Sequence, residues 1–372
     1  MTEALLTLNF SAEGNARHYV GAGWSSAEKG ARWMVGQVSE IWLEHPGAGD
    51  LVLELDVDPF IAAPVPRYQR LAVAARGVQV GECTLSSGGR VGFFIPSVLV
   101  EEKGPIRLTL VHPDQMRPSE ATGSADDRQL AVAVSTARLL RPRRIAPAGP
   151  GKEGKSAAAS HVVDLPLEAL ALRFESLGDN CEFGLVQRRC GAEPLGLLRF
   201  ANINLATLIR GIRSGFAGLG EPGTVLLVDD PADDEYVVRE TMYDMTQHTF
   251  IYKADESPDG LLARQCNRLR FLRRKLMEDI RNGEKIFVYK RNLPLQEAEV
   301  LPLLMTLYDY GTNTLLWISP ADEAHPAGSV ERRVPGLLHG FIDRFAPSEN
   351  AHDLSFDVWI TLCRNAAALE GS

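Results

Sequence analysis

No stretch of this chain holds the ~18 consecutive apolar residues that a helix needs to cross a bilayer, so no membrane-spanning helix is expected. The opening residues, MTEALLTLNFSAEGN, lack the basic start and apolar core of a secretory signal, and a cytoplasmic location is the expectation. Cysteine is sparse. The five residues at 83, 181, 190, 266 and 363 are odd in number, scattered, and form no C-x-x-C pair, which excludes a disulfide framework or zinc ribbon and leaves free thiols. There is no excess of basic residues either. A net charge of −9 argues against a nucleic-acid partner. The glycine spacing of GLGEPG, residues 218–223, matches a dinucleotide loop, but a helical pattern precedes it and the strand TVLLV follows, the reverse of what that loop requires. No cofactor is expected. Asp322, His325, His339, Asp343, His352 and Asp353 lack the compact spacing of a metal site, and no metal is expected. The oligomeric state leaves no mark in the sequence.

What is present is an ordinary globular composition, 45% hydrophobic and 23% charged, over 372 residues, enough for two domains with a core each. From Gly21 to Arg141 short alternating runs at Leu51–Val57, Arg70–Ala74, Val91–Ile95 and Arg107–Val111 are separated by Gly, Pro, Asp and Ser, the pattern of an all-β sandwich or jelly roll over residues 1–141. Its opening places Trp24, Trp33 and Trp42 close together. Large rings of this kind fill sandwich cores or offer stacking platforms to sugars, and Trp24 and Trp33 are the candidate glycan contacts. Arg141 to Ser160, RPRRIAPAGPGKEGKSAAAS, has no apolar periodicity, so residues 142–160 are the expected linker; its RPRR is expected to be a solvated hinge.

Residues 161–372 alternate strands with helices, which predicts an α/β domain with a mainly parallel sheet. Strands are expected at Thr224–Val228, Glu235–Thr241, Thr246–Lys253, Lys285–Tyr289 and Asn313–Ile318. Helices are expected at Asn204–Phe216, Asp259–Arg281, Pro294–Tyr310 and Leu354–Leu369; in the second, Leu262, Cys266, Leu269, Leu276 and Ile280 share an apolar face opposite a basic, solvated one. The densest stretch is Leu170–Phe200. Leu170, Leu172 and Phe174 alternate as a strand, Gly178 breaks the run, and Asp179 with Glu182 reads as a capping box for a helix that Gly191 stops. Cys181 then falls in the first turn, where the helix dipole favours a thiolate and the two carboxylates oppose it. Cys190 reads as core. His248 alternates with Phe250 and Tyr252 on a strand, so it is expected to face a core or cleft, either as a satisfied buried histidine or as the base that takes the Cys181 proton.

Two resemblances follow from these residues. The G-W-S-x-x-E…W opening is similar to jelly-roll modules attached to bacterial sugar-transferring enzymes. The S-L-G-x-x-C of Ser176–Cys181, the histidine-bearing strand, the basic helix and G-E-K-I-F-V-Y-K-R resemble, over Ala171–Ser319, the bacterial family described as papain-like cysteine peptidases. That resemblance implies Cys181 as nucleophile and His248 as base, with a later Asp or Asn orienting the histidine. Asn267 and Asn292 are both candidates for that role. The catalytic candidates are thus Cys181, His248, Asn180 and Asn292, with Asp179 and Arg199 as candidate substrate contacts. The LLRFANI segment replaces the family's usual P-F-D-W-like stretch, so substrate is not implied. The leading expectation is a cysteine-dependent hydrolase or acyl transferase. The alternatives are a non-catalytic glycan-binding or scaffold protein of surface-polysaccharide synthesis, and an esterase-like hydrolase using the GDN of Gly178–Asn180 with the DEAH of Asp322–His325, which lacks its serine.

Overall fold

A computed structural model describes residues 3–44, 46–62, 68–101, 104–142, 165–229, 234–254, 257–258, 260–347 and 350–370; residues 143–160 of the expected linker lie outside them. The chain divides into two compact units, Met1–Arg143 with Gln296–Met305, and Arg144–Leu295 with Thr306–Ser372. In the first, strands β1 (Glu3–Asn9), β2 (Arg32–Val35), β3 (Val38–Leu43), β4 (Leu51–Pro59), β5 (Gln69–Ala75), β6 (Val78–Leu85), β7 (Gly89–Ile95), β8 (Ile106–Val111) and β9 (Leu130–Arg141) form two antiparallel sheets, with short helices α1 (Ser97–Val100) and α2 (Pro118–Thr122) between strands. One sheet runs β1-β9-β4-β7 with β2 also on β9, and the other runs β3-β8-β5-β6. Leu53, Leu55, Val132 and Val134 of the first sheet and Ile41, Leu71, Val73 and Leu108 of the second meet in one core, so this unit is the expected all-β sandwich. Its outer side carries an ionic cluster. Burial alone would raise the Asp56 pKa, but Arg90 at 2.6 Å and Arg138 at 2.9 Å outweigh it and hold the carboxyl below its ordinary range.

The second unit holds a sheet of order β10-β15-β16-β18-β17, from β10 (Phe174–Ser176), β15 (Ile286–Lys290), β16 (Thr314–Pro320), β17 (Val330–Val334) and β18 (Leu337–Ile342). Its first four members are parallel and β17 is antiparallel. Helices α3 (Leu167–Ala171), α4 (Glu182–Arg189) and α8 (Phe356–Glu370) cover one face, where Phe174, Phe183, Val288, Leu316, Leu338 and Trp359 form the core. A separate antiparallel sheet, β11-β14-β13-β12, comprises β11 (Ala201–Asn202), β12 (Val225–Asp229), β13 (Glu235–Glu240) and β14 (Met245–Tyr252). The expected mainly parallel sheet therefore holds for only one of the two sheets. The three strands of the 224–253 region turn back on one another through short connections that leave no room for a crossover helix.

Helices α5 (Leu205–Arg213), α6 (Leu261–Asn282) and α7 (Glu297–Tyr308) lie where expected, and Gly283 closes α6 at φ 66°. Leu262 is exposed, and Leu261 takes its place on the buried stripe. The predicted strand at Leu170–Phe174 is instead the end of α3 followed by a three-residue strand; Pro166 opens the helix, and Leu172 is exposed.

Candidate functional site

Where β10 ends, the chain must reverse into α4, and it does so through two successive left-handed residues, Gly178 at φ 91° and Asp179 at φ 72°. Glycine adopts that region freely; Asp179 is strained there, and such strain concentrates at working sites. The turn delivers Cys181 as the residue immediately before α4, with its carbonyl accepting the Leu185 amide. The capping box is not formed. Asn180 Oδ1 accepts the Glu182 amide at 3.0 Å, while the Glu182 side chain is fully buried, accepting from Trp359 Nε1 at 2.9 Å and Lys290 Nζ at 2.6 Å. Lys290 ends β15 and also donates to Asn292 Oδ1 at 2.7 Å. Cys181 thus sits at the carboxyl end of a parallel sheet, where open α/β sheets bind their ligands. Gly184 lets α4 press against the Arg199 segment: a Cβ there would lie 2.3 Å from the Arg199 carbonyl oxygen.

Burial first, and then the charge of Glu235, push the Cys181 pKa up to about 12, against the pull of Lys290 and Arg188. Burial thus opposes at Cys181 the thiolate that a helix start favours. Burial also lowers the Lys290 pKa, with Glu182 opposing, and raises that of Asp179, with Lys290 opposing.

His248 lies on β14, but not on its buried side. Met245, Gln247 and Thr249 point inward, whereas His248 and Phe250 are partly exposed. The His248 Nδ1 is 2.9 Å from Oε2 of Glu235, whose side chain is 3% exposed. Between β13 and β14 the register slips after Glu235, Phe250 takes φ 56°, and its amide donates to Glu235 Oε1 at 2.7 Å. One carboxylate therefore closes the gap in the ladder and holds the imidazole. Arg188 of α4 lies over the Phe250 ring at 4.4 Å and the Phe200 ring at 4.7 Å, and the His248 amide donates to the Phe200 carbonyl. Cys181 precedes Arg188 by seven residues, two helical turns, and so lies on the same side of α4. Among the described residues no hydrogen bond joins Cys181 to His248.

The other sequence candidates fall as follows. Asn180 Nδ2 donates to Asn292 Oδ1 at 3.3 Å, so the two asparagines are brought together and tie the turns after β10 and β15 to each other. Asn267 accepts from Arg270 on α6. Arg199 is buried and committed to Glu193, to the Gly184 and Ala192 carbonyls and to the Phe200 ring, the arrangement of a clamp. Asp322 holds His325 Nδ1 at 2.9 Å, as the esterase reading needs, while Asp179 and Asn180 bring no serine to it. His339 instead bonds Ser319 at 2.5 Å and stacks on Trp317; burial, and then Arg333, push its pKa down to about 3. Asp343 takes Ser355 and Asp353 takes Arg344.

Glu235 was missed, although a signal existed. Counting out from the turn pair Glu240–Met245 places Glu235 opposite Phe250, one diagonal step from His248.

In the sandwich, Trp24 donates from Nε1 to the Glu40 carbonyl at 2.9 Å and packs 4.9 Å from Phe10, so it belongs to the core; Trp33 is partly buried, edge-on to Phe60. The exposed ring is Trp42, which faces outward on β3 at 42% exposure. Its Nε1 lies 3.2 Å from Glu40 Oε2, the Arg107 guanidinium is 5.9 Å from its ring, and Arg107 pairs with Glu40 at 3.7 Å. Register sets Trp42 beside Arg107, Glu40 beside Thr109 and Val38 beside Val111, all on that outward face.

No protein-family model matches the chain, and no curated protein matches it. The papain-like resemblance of Ala171–Ser319 rests on its residues alone. Solved structures overlap the N-terminal part. The C-terminal CBM6 module of a laminarinase from Zobellia galactanivorans is 12% identical over 37% of this chain and 98% of that one, TM-score 0.23. The tandem CBM22 domains of Xyn10C from Paenibacillus barcinonensis are 14% identical over 41% and 49%, TM-score 0.26. A GH115 4-O-methyl-α-glucuronidase is 13% identical over 38% of this chain, which spans 18% of that enzyme, TM-score 0.25.

Proposed function

We propose that the N-terminal unit is a glycan-binding module whose platform is the outward face of β3 and β8 around Trp42. The observation that supports this most is a half-exposed indole on an outward sheet face, flanked by a cation and a carboxylate that also face solvent. A sugar ring presents an apolar CH face to such an indole and hydroxyls to groups like Arg107, Glu40 and Thr109, and Val38 with Val111 continues the apolar floor. Trp24 packs in the core beneath, while Trp33 stands edge-on to Phe60 on the other sheet. The full-length chain should bind a polysaccharide on a glycan array, and Trp42→Ala should weaken that binding at least about tenfold without lowering the melting temperature. Unchanged binding by Trp42→Ala, or no binding to any glycan by the parent, would contradict the reading.

A second reading concerns the other unit and is favoured by the convergence around Cys181. Glu235 and Arg188 both act on its thiol, and both border the strand that carries His248. In this reading Cys181 is the nucleophile and His248 the base of a cysteine-dependent hydrolase or acyl transferase. Its test is alkylation of Cys181 by iodoacetamide near pH 7, which should be faster than at the four buried cysteines and slow on His248→Ala. Indifference to His248 would remove it.

A further inference from the structure

The structure assigns Glu235 as the residue that positions His248, fixing its proton on Nδ1 and presenting a bare Nε2 to Cys181, so that the site takes acyl groups carried on oxygen, sulfur or nitrogen. This rests on the second reading above and extends it. A buried carboxylate 2.9 Å from one imidazole nitrogen is an acceptor, so that nitrogen carries the hydrogen and the other is the base. The tautomer is over-determined. Glu235 Oε1 is occupied by the Phe250 amide, which prevents the carboxylate from rotating away, and the strained φ of Phe250 is what turns that amide toward it. The papain-like resemblance implies an orienting residue later in the chain than the histidine. Here it comes from the preceding strand of the same hairpin.

Glu235 acts in two directions. It disfavours a lone thiolate at Cys181, and its Oε2 holds the His248 Nδ1 at 2.9 Å. Lys290 and Arg188 oppose it at the thiol, and Asp179 lies on the turn before Cys181. In this reading the sulfur gives up its proton to His248. The thiol proton passes to Nε2 as sulfur bonds the acyl carbon and the carbonyl π pair moves to oxygen. Collapse of that adduct breaks the bond to the leaving group, which departs with the proton from Nε2. Water, deprotonated by Nε2, then releases the acid and the thiol is restored.

The experiment uses the full chain. In the parent, 15N NMR of the neutral His248 ring should show the hydrogen on Nδ1; a ring protonated on Nε2 overturns the assignment without any variant. Glu235→Gln keeps the size but turns an amide N–H toward Nδ1, so the hydrogen should move to Nε2, and iodoacetamide labelling of Cys181 near pH 7 should fall about tenfold or more. Above pH 10 the order should reverse, because the variant has lost the Glu235 charge that, after burial, raises the thiol pKa. A merely structural role would lower both limbs together or neither. If His248→Ala slows labelling near pH 7 but Glu235→Gln does not, the dyad stands and the role of Glu235 falls; if neither slows it, the dyad itself falls.

Discussion

On the sandwich face Trp42 and the Arg107 side chain keep 42% and 49% of their surface, and the nearest opposite charge is 3.7 Å away; beside Cys181, Lys290 and Glu182 keep 2% and 0% and lie 2.6 Å apart. The first arrangement costs the fold little and leaves polar groups available to a ligand. The second takes two charges out of water and spends them on holding the start of α4 against β15 and α8. The exposed face can be edited without unfolding the chain, whereas the Cys181 turn cannot lose one member of its support without stranding another.

The largest effect should come from stranding a charge. Lys290→Met leaves Glu182 buried with only the Trp359 N–H, and should cost about 3–5 kcal/mol in denaturant unfolding. Adding Glu182→Gln should return most of that loss. A cost below about 1 kcal/mol for Lys290→Met would mean that the pair is not what anchors the turn.

A smaller effect with a pH signature is expected at Glu175 on β10. Burial pushes its pKa up to about 7 from an ordinary 4.5, and its Oε1 has no hydrogen-bond partner among the described residues. Between those values the unfolded chain releases a proton that the folded chain keeps, so stability falls as pH rises from 4.5 to 7 and stays lowered above that. Glu175→Gln should therefore leave stability at pH 4.5 nearly unchanged and raise it at pH 8 by on the order of 2 kcal/mol. An equal shift at both pH values would show that the charge is not the cause.

Smallest on the sandwich face, and large just beneath it, is the tryptophan pair. Trp24→Ala should cost about 3 kcal/mol, since the ring packs on Phe10 and its N–H is bonded, while Trp42→Ala should stay within about 0.5 kcal/mol. Equal costs would erase the distinction between core and platform.

Legibility in the sequence followed the same division. Strands with one buried face, such as β5 and β8, announce themselves by alternation, and the helices α6 and α8 by their periodicity. Strand β18 is buried on both faces and carries a histidine and a glycine, so LLHGFI has no period to read. The cap expected of the Glu182 side chain does not form because its partners, Lys290 and Trp359, are 108 and 177 residues away. Cys181 and His248 were found by residue type, yet the charge state of the thiol depends on burial that no spacing reveals. Of the three tryptophans, sequence offered no way to tell which ring faces out; the register of β3 against β8 decides it.

Intrinsic fluorescence tests most directly whether a sugar rests on Trp42. Titrating the full-length chain with a polysaccharide that it retains should shift or quench tryptophan emission, because the exposed indole is the one a ligand would cover. In Trp42→Phe the stacking surface remains but the reporter is gone, so binding should persist in a pull-down while the emission change disappears. An emission change that survives unaltered in Trp42→Phe would place the sugar elsewhere on the molecule and contradict the account.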